Sequence, residues 1–474
     1  MAKLAELQQL IQSLSKSEKR HFRLASQGQD SQPIYLRLFD FYAQNPTADS
    51  ELVKRRCKLP PHQQLSVLNT YLYQRILSSL KSLHQRSSVD FQIREYLQQA
   101  EVLFDKELIR QTEIALRQAE ALAQKYHRHA LLCDVYQLQR KLILTRDGPV
   151  KGAKALAAWA DKQQTNLQYL QEVHPLWLTL IDLGRGVRVS DKAHAISNLQ
   201  ASDNIQANIL RLHIKYAHHI MSNELETGLA AIGELIDLLE RHPLLIADDP
   251  NGYVTTINNK ISLLLLIDNK QEAPELFARL HRLQERFKIR RSNPSLNRQL
   301  LRSYNIELEF LRERMAIDAG LAQIDDINEF LRKNKDIVPD EYYLMIYYQF
   351  AFFTFAAARY RQAQQWVSQI NRYTPLLLRP DIRAQAKLLN LCLLFQFDQL
   401  NTLKYAVDNT RRFIKKQNLQ TPSNQTLLKI FSRLSLAQAG QTPAILAQAT
   451  QELTQLETSP EIQVYLAWLQ RQRV

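Results

Sequence analysis

Glycine is scarce in this chain, with 10 residues in 474. That is roughly 2% against the ~7% of average proteins. Strand-rich folds spend glycine on turns and bulges, and nucleotide-binding sheets need it where backbone approaches phosphate. The shortage argues against both. Cysteine is rarer still: Cys57, Cys133 and Cys392 lie far apart and form no CxxC pair. A disulfide framework and a zinc cluster are therefore not expected, and a reducing compartment fits. Long apolar runs are missing, and stretches such as Ile261–Ile267 (ISLLLLI) are short. They do not approach the ~20 residues that span a bilayer. The opening MAKLAELQQLIQSLSKSEKR has no secretory pattern. These features predict a soluble, cytoplasmic chain without a membrane partner. Acidic residues are also in deficit, 47 against 61 basic ones, for a net charge of +14.

What remains is rich in Leu, Ala, Gln, Arg and Lys, all good helix formers. Apolar residues recur at helical spacing almost throughout. In Tyr96–Ala123 the stripe includes Leu97, Ala100, Leu103, Phe104, Leu108, Ile114, Ala119 and Leu122. Breaks fall at Asp147-Gly148-Pro149, His174-Pro175, His242-Pro243, Asp249-Pro250, Arg379-Pro380 and Thr421-Pro422, among others. Between them the pattern predicts helices of roughly 10–20 residues joined into antiparallel pairs.

Tyr347–Pro375 carries the clearest internal pattern. Tyr360, Ala363, Val367, Ile370 and Pro375 place an aromatic, a small residue, two apolar residues and a closing proline at set intervals on a second helix. Tyr347, Phe350 and Ala351 do the same on the first. This resembles one tetratricopeptide unit, with Ala351 where that family usually has glycine. Thr255–Leu280 repeats the pattern through Ala273, Phe277 and Leu280. Asn208–Pro243 repeats it through Ala231, Leu235, Leu238 and Pro243. Weaker traces lie at Ala115–Ala121, Leu403–Phe413 and Ala437–Leu456. The resemblance implies an all-α protein: an irregular tetratricopeptide-like right-handed α-solenoid of antiparallel helix pairs over residues 87–474. Such an array binds peptides or helices on a concave face and offers no ready catalytic cleft.

Residues 1–86 read differently. Ser15-Lys16-Ser17-Glu18 is a capping box. Helices are expected to about Ala25, over Tyr35–Tyr42, to Lys58, and from about Gln63 to Leu83. The segment holds thirteen basic residues against six acidic. Lys54, Arg55, Arg56 and Lys58 cluster on the third of these helices. A basic N-terminal bundle of this kind is either a solvated face or, if helix-turn-helix-like, a nucleic-acid contact. The stretches LSKSEKRHF, YLRLFDFY and NTYLYQRILSSL are similar to the opening of an uncharacterised group of bacterial helical-repeat proteins, which implies no activity.

Three further features are candidates for function. Arg286, Lys288, Arg290 and Arg291 belong to a basic run from Arg279 to Arg302 in which Glu285 is the one acid. Cations at a helix C-terminus are favoured by its dipole, which is one reading; an acidic partner or nucleic-acid backbone is the other. In the aromatic stretch Tyr342–Phe355, the repeat frame puts Tyr348, Phe352 and Phe355 toward the concave face as anchors for an apolar peptide or helix, and the other reading is a central helix buried on all sides. His213, His218 and His219 share a helix at spacings that do not stack metal ligands. No HExxH, GxxxxGK[ST] or GxSxG motif occurs. The sequence thus predicts a non-enzymatic scaffold or adaptor for a protein or peptide partner, without cofactor. A nucleic-acid-binding regulator is the alternative, and the oligomeric state is left open.

Overall fold

The computed structural model describes residues 4–26, 33–57, 64–84, 88–185, 201–267, 269, 271–289, 294–335, 337–372, 378–438 and 440–472. All regular structure among them is helical, with no strand. None of these helices is long and apolar enough to cross a membrane. The chain divides into two compact units, 1–181 with 200–210, and 182–199 with 211–474. The division falls later than the change at residue 86 that composition suggests.

In the first unit, α1 (Leu4–Ser13), α2 (Lys16–Ser26), α3 (Ile34–Gln44), α4 (Ser50–Cys57) and α5 (Leu65–His84) share one core. Leu7, Ile11, Leu38, Phe39, Tyr42, Val53, Leu72 and Ile76 are its fully buried members. The capping box forms as the spacing predicts. Glu18 N donates to Ser15 Oγ at 3.2 Å, and Ser15 N donates to Glu18 Oε2 at 2.7 Å. Helix α1 is an addition to the sequence reading. It is clamped over the α3–α4 corner, with Gln8 Nε2 donating to Ala48 O (2.8 Å) and Gln12 Nε2 to Tyr42 O (2.9 Å).

Next come α6 (Val89–Asp105), α7 (Ile109–Lys125), α8 (His129–Lys151) and α9 (Ala153–Gly184). The expected break at Asp147-Gly148-Pro149 is a kink in α8, where Gly148 has φ 67° and ψ 176°. The expected break at His174-Pro175 does not occur: Pro175 lies inside α9. A buried polar knot ties α8 to α9. Asn166 Oδ1 meets His129 Nδ1 at 3.0 Å, and Asn166 Nδ2 donates to His129 O at 3.0 Å. Burial pushes the His129 imidazole below its ordinary value, opposed by Asn166.

Helix α10 (Ile205–Met221) comes next. There follow α11 (Leu225–Arg241), α12 (Pro243–Asp248), α13 (Pro250–Leu266), α14 (Ala273–His281), α15 (Leu283–Arg286), α16 (Pro294–Glu313), α17 (Ile317–Ala322) and α18 (Ile324–Lys333). The last group is α19 (Asp340–Ala356), α20 (Tyr360–Arg372), α21 (Pro380–Gln396), α22 (Leu400–Lys416), α23 (Pro422–Ser435), α24 (Thr442–Thr454) and α25 (Pro460–Arg471). Proline opens α12, α13, α21, α23 and α25, where its missing N–H costs nothing. Side chains of Asp249, Thr421 and Ser459 accept the orphan N–H groups beside three of these prolines.

One turn recurs. After α6, α10, α16, α19 and α21 the chain reverses through Glu107, Asn223, Met315, Ala358 and Asp398, all at φ between 53° and 60°. The following N–H reaches back to close the helix end. The bonds are Leu108 to Leu103 O, Glu224 to His219 O, Ala316 to Leu311 O, Arg359 to Thr354 O and Gln399 to Leu394 O, at 2.8–3.0 Å. This is the Schellman cap, which glycine usually supplies. The glycine-poor chain builds it from ordinary residues at about 1 kcal/mol each.

The turn sets a register. Five residues on stand Thr112, Gly228, Gly320, Ala363 and Leu403; nine on, Leu116, Ile232, Ile324, Val367 and Val407; twelve on, Ala119, Leu235, Ile327, Ile370 and Thr410. All are buried. At two of these positions there is no room for a side chain: a Cβ at Gly320 would lie 2.3 Å from Phe353 Cε1 of α19, and one at Gly228 2.9 Å from Ile220 Cδ1 of α10. In the α10–α11 hairpin Gly228 thus packs against α10 one turn before the expected Ala231, which is also buried. The α16–α17 hairpin through Gly320 has no counterpart in the sequence reading.

Candidate functional site

The aromatic helix α19 is the first candidate, and of its two readings the packing agrees with the buried central helix rather than the groove. Tyr348, Phe352 and Phe355 are 3%, 2% and 1% exposed. Their cover is α25. Glu461, Tyr465 and Trp468 share one face of that helix at i, i+4 and i+7. Phe355 lies 6.4 Å from the Tyr465 ring and 6.3 Å from Trp468. Trp468 also meets Phe395 of α21 and Phe431 of α23, and its Nε1 donates to Gln396 Oε1 at 3.0 Å. Arg312 of α16 sits over both the Tyr348 and Phe352 rings (5.9 and 5.8 Å) and pairs with Glu461. Tyr348 OH donates to Glu461 Oε1 at 3.3 Å. Burial holds the Tyr348 phenol far above its ordinary value, and the Glu461 charge adds to that. The three proposed anchors are core residues, held by the chain's own helix.

The basic residues separate into three cases. Lys54, Arg55 and Arg56 lie exposed on α4, whose Val53 and Cys57 face the core. Lys54 Nζ pairs with Glu51 at 3.2 Å. Lys58, Arg290 and Arg291 lie outside the described residues. Arg286 is exposed but ion-paired within the chain. It and Arg279 both grip Glu240 (2.7 and 3.3 Å), and Tyr253 OH donates to the same carboxylate at 2.6 Å. These bonds and charges hold the Glu240 carboxyl below its usual range against the opposing effect of burial. Lys288 is exposed, and it is the left-handed residue (φ 51°) that ends the helix there. Of the expected cluster, Arg286 thus belongs to an ion network across α11, α14 and α15.

A different basic surface emerges on the second unit. Helix α22 buries Leu403, Val407, Thr410 and Ile414 and exposes Lys404, Arg411, Arg412, Lys415 and Lys416, with Asp408 the one acid. Against it, α23 and α24 form a groove of about 670 Å³ lined by Arg411, Thr426, Lys429, Ser432, Arg433 and Glu452, with Gln455 and Leu456. Asp408 holds Arg411 at 2.8 Å. Glu452 holds Arg433 through two bonds, Nη1–Oε1 at 2.9 Å and Nη2–Oε2 at 2.5 Å. Bidentate pairing fixes the plane of a guanidinium. The groove therefore offers oriented cations beside two hydroxyls, a set that suits carboxylate or phosphate oxygens. The sequence signal was KYAVDNTRRFIKK, whose charges all fall off the buried stripe.

Among the described residues no group of three or more His, Cys, Asp or Glu side chains could hold a metal ion. His219 Nδ1 meets Glu224 Oε2 at 2.6 Å, closing the α10–α11 turn. His213 is largely buried, which pushes its imidazole below the ordinary value. Compared with known proteins, the chain matches no family model, no curated protein and no solved structure.

Proposed function

We propose that this chain is a non-catalytic, cytoplasmic helical-repeat scaffold, an irregular right-handed tetratricopeptide-like solenoid, that docks an acidic segment of a partner protein. The convergence of Arg411, Lys429 and Arg433 with Thr426 and Ser432 on one groove carries this reading. The common register of the five hairpins supports the repeat architecture, since stacked pairs complete one another's cores. The docking surface moves from the aromatic face, which α25 fills, to the groove between α22, α23 and α24.

The test uses a fluorescent oligoglutamate peptide and a DNA duplex, titrated against the full chain by anisotropy at two salt concentrations. The peptide should bind, and more weakly at the higher salt. Arg411→Ala with Lys429→Ala should weaken it roughly tenfold, as expected for two exposed charge contacts of up to ~1 kcal/mol each. Lys54→Ala with Arg55→Ala and Arg56→Ala should leave it unchanged. The second reading, a nucleic-acid-binding regulator, rests on the exposure of those three α4 cations. It predicts the reverse: duplex binding at low salt, lost in the α4 variant. Failure of the peptide to bind sinks the groove.

A further inference from the structure

A cavity of about 210 Å³ opens between α14, α15, α16 and α18, away from the basic groove. Its walls are mostly apolar, with three aromatic rings: Phe277, Tyr304 and Phe330. Tyr304 and Phe330 meet edge to face, 5.4 Å apart at 72°. Into this apolar setting the fold places one carboxylate. Glu307 is 8% exposed, although burying a carboxylate costs several kcal/mol unless it is paired. Both its oxygens are engaged by donors. His281 Nε2 lies 2.8 Å from Oε2, and Gln323 Nε2 donates to Oε1 at 2.8 Å. The other end of the same amide, Gln323 Oε1, is buried without a hydrogen-bond partner. Beside the carboxylate, then, is an acceptor still lacking a donor.

His281 differs from the other groups. Its side chain is half exposed and lies on the rim, and it carries the hydrogen bond that offsets the Glu307 charge. The other polar side chains of the lining, Gln284 and Ser303, carry no charge to offset it. A ligand that displaces this imidazole must bring positive charge or strong N–H donors, and its carbon surface must suit aromatic faces. Ring faces attract cations through their quadrupole, and alkylated ammonium groups combine that charge with apolar bulk. An anion would meet Glu307 unfavourably. A neutral hydrocarbon would gain nothing from the carboxylate.

We propose that this cavity is a binding site for a small organic ammonium ion, with Glu307 as its counter-ion, Phe277, Tyr304 and Phe330 as its walls, and His281 as the side chain that gives way. Ser303 lines the same cavity. Its hydroxyl donates to Asn258 Oδ1 at 2.9 Å, so its oxygen presents an acceptor. The site is independent of the groove on α22–α24, and either can fail without the other.

The experiment titrates choline and n-butylammonium into the full chain and follows heat and aromatic proton shifts, with 3,3-dimethylbutan-1-ol as the uncharged isostere of choline. Saturable binding of at least one cation with a Kd on the order of 1 mM is expected, and none for the isostere. Glu307→Gln should lose binding at least tenfold. Phe330→Leu, which keeps an apolar wall but removes a ring, should weaken it severalfold. His281→Gln, which keeps a donor and cannot be charged, should bind as well as the parent or better. Thermal melts of each variant separate loss of the site from loss of the fold, and Phe330→Leu decides the matter if Glu307→Gln does not fold. Absence of saturable change with either cation at roughly 50 mM overturns the proposal, and so does equal binding of the isostere.

Discussion

Helices α19 and α22 have the same length, 17 residues, and belong to the same unit, yet they do opposite things with their side chains. Helix α19 is apolar on every face, and eleven of its residues are buried. Helix α22 buries four residues in one stripe and gives its charges to water. An apolar helix in a folded chain is a covered helix, because leaving such a surface in water forfeits roughly 25 cal/mol per Å². The eye-catching run YYLMIYYQFAFFTF therefore marks the centre of a core. The less conspicuous KYAVDNTRRFIKK marks a surface that another molecule can reach.

Substitutions can break this contrast. The largest effect is expected at Phe350, fully buried in α19. Phe350→Ala should cost about 3–5 kcal/mol in chemical denaturation, while Lys404→Ala on α22 should stay within about 0.5. Near-equal values for the two would mean that α19 is not packed as described. A smaller effect sharpens the comparison at the ends of the two hairpins. Ala358 closes α19 and Asp398 precedes α22, both in left-handed backbone. Glycine relieves that strain, so Ala358→Gly should raise stability by about 1 kcal/mol. Asp398→Gly should gain less, since aspartate tolerates this conformation better than alanine. A loss of stability on Ala358→Gly, read from the melting temperature, would contradict the turn geometry.

The smallest effect concerns pH. Its hydrogen bond to Glu307 raises the His281 imidazole above the ordinary 6.5, against the opposing effect of burial. A folded value above the unfolded one stabilises the protein below pH 6.5. That contribution fades as pH rises through the folded value. The side chain is half exposed, so solvent screening limits it to a few tenths of a kcal/mol. His281→Gln should flatten the stability profile over that window. An unchanged profile would show that the pair does not form in solution.

Local signals in the sequence were sufficient for much of the fold. Prolines at 243, 250, 380, 422 and 460 open helices because the first turn has no use for their N–H. Ser15 and Glu18 cap each other as their spacing demands. Ala363, Val367 and Ile370 all lie in the core. Choices between equivalent neighbours were not legible. Gly228 and Ala231 sit one turn apart on one face of α11 and both are buried, and the close approach of Ile220 to Gly228 is set by the helix opposite. The environment of Pro175 likewise depends on packing that spacing does not encode. The site was harder still. What covers Tyr348 and Phe355 lies more than a hundred residues away in α25, and what neutralises Arg286 is Glu240 on another hairpin.

The position of α25 also has a consequence in time. It supplies Trp468 and Tyr465 to rings that leave the ribosome about 100 residues earlier, an interval of roughly 5–20 s at ordinary rates of synthesis. Throughout that wait the nascent polypeptide displays its stickiest helix half-dressed. Holdase chaperones should therefore find this stretch during translation, and a premature stop codon ahead of Pro460 should yield an insoluble product rather than a shortened working one.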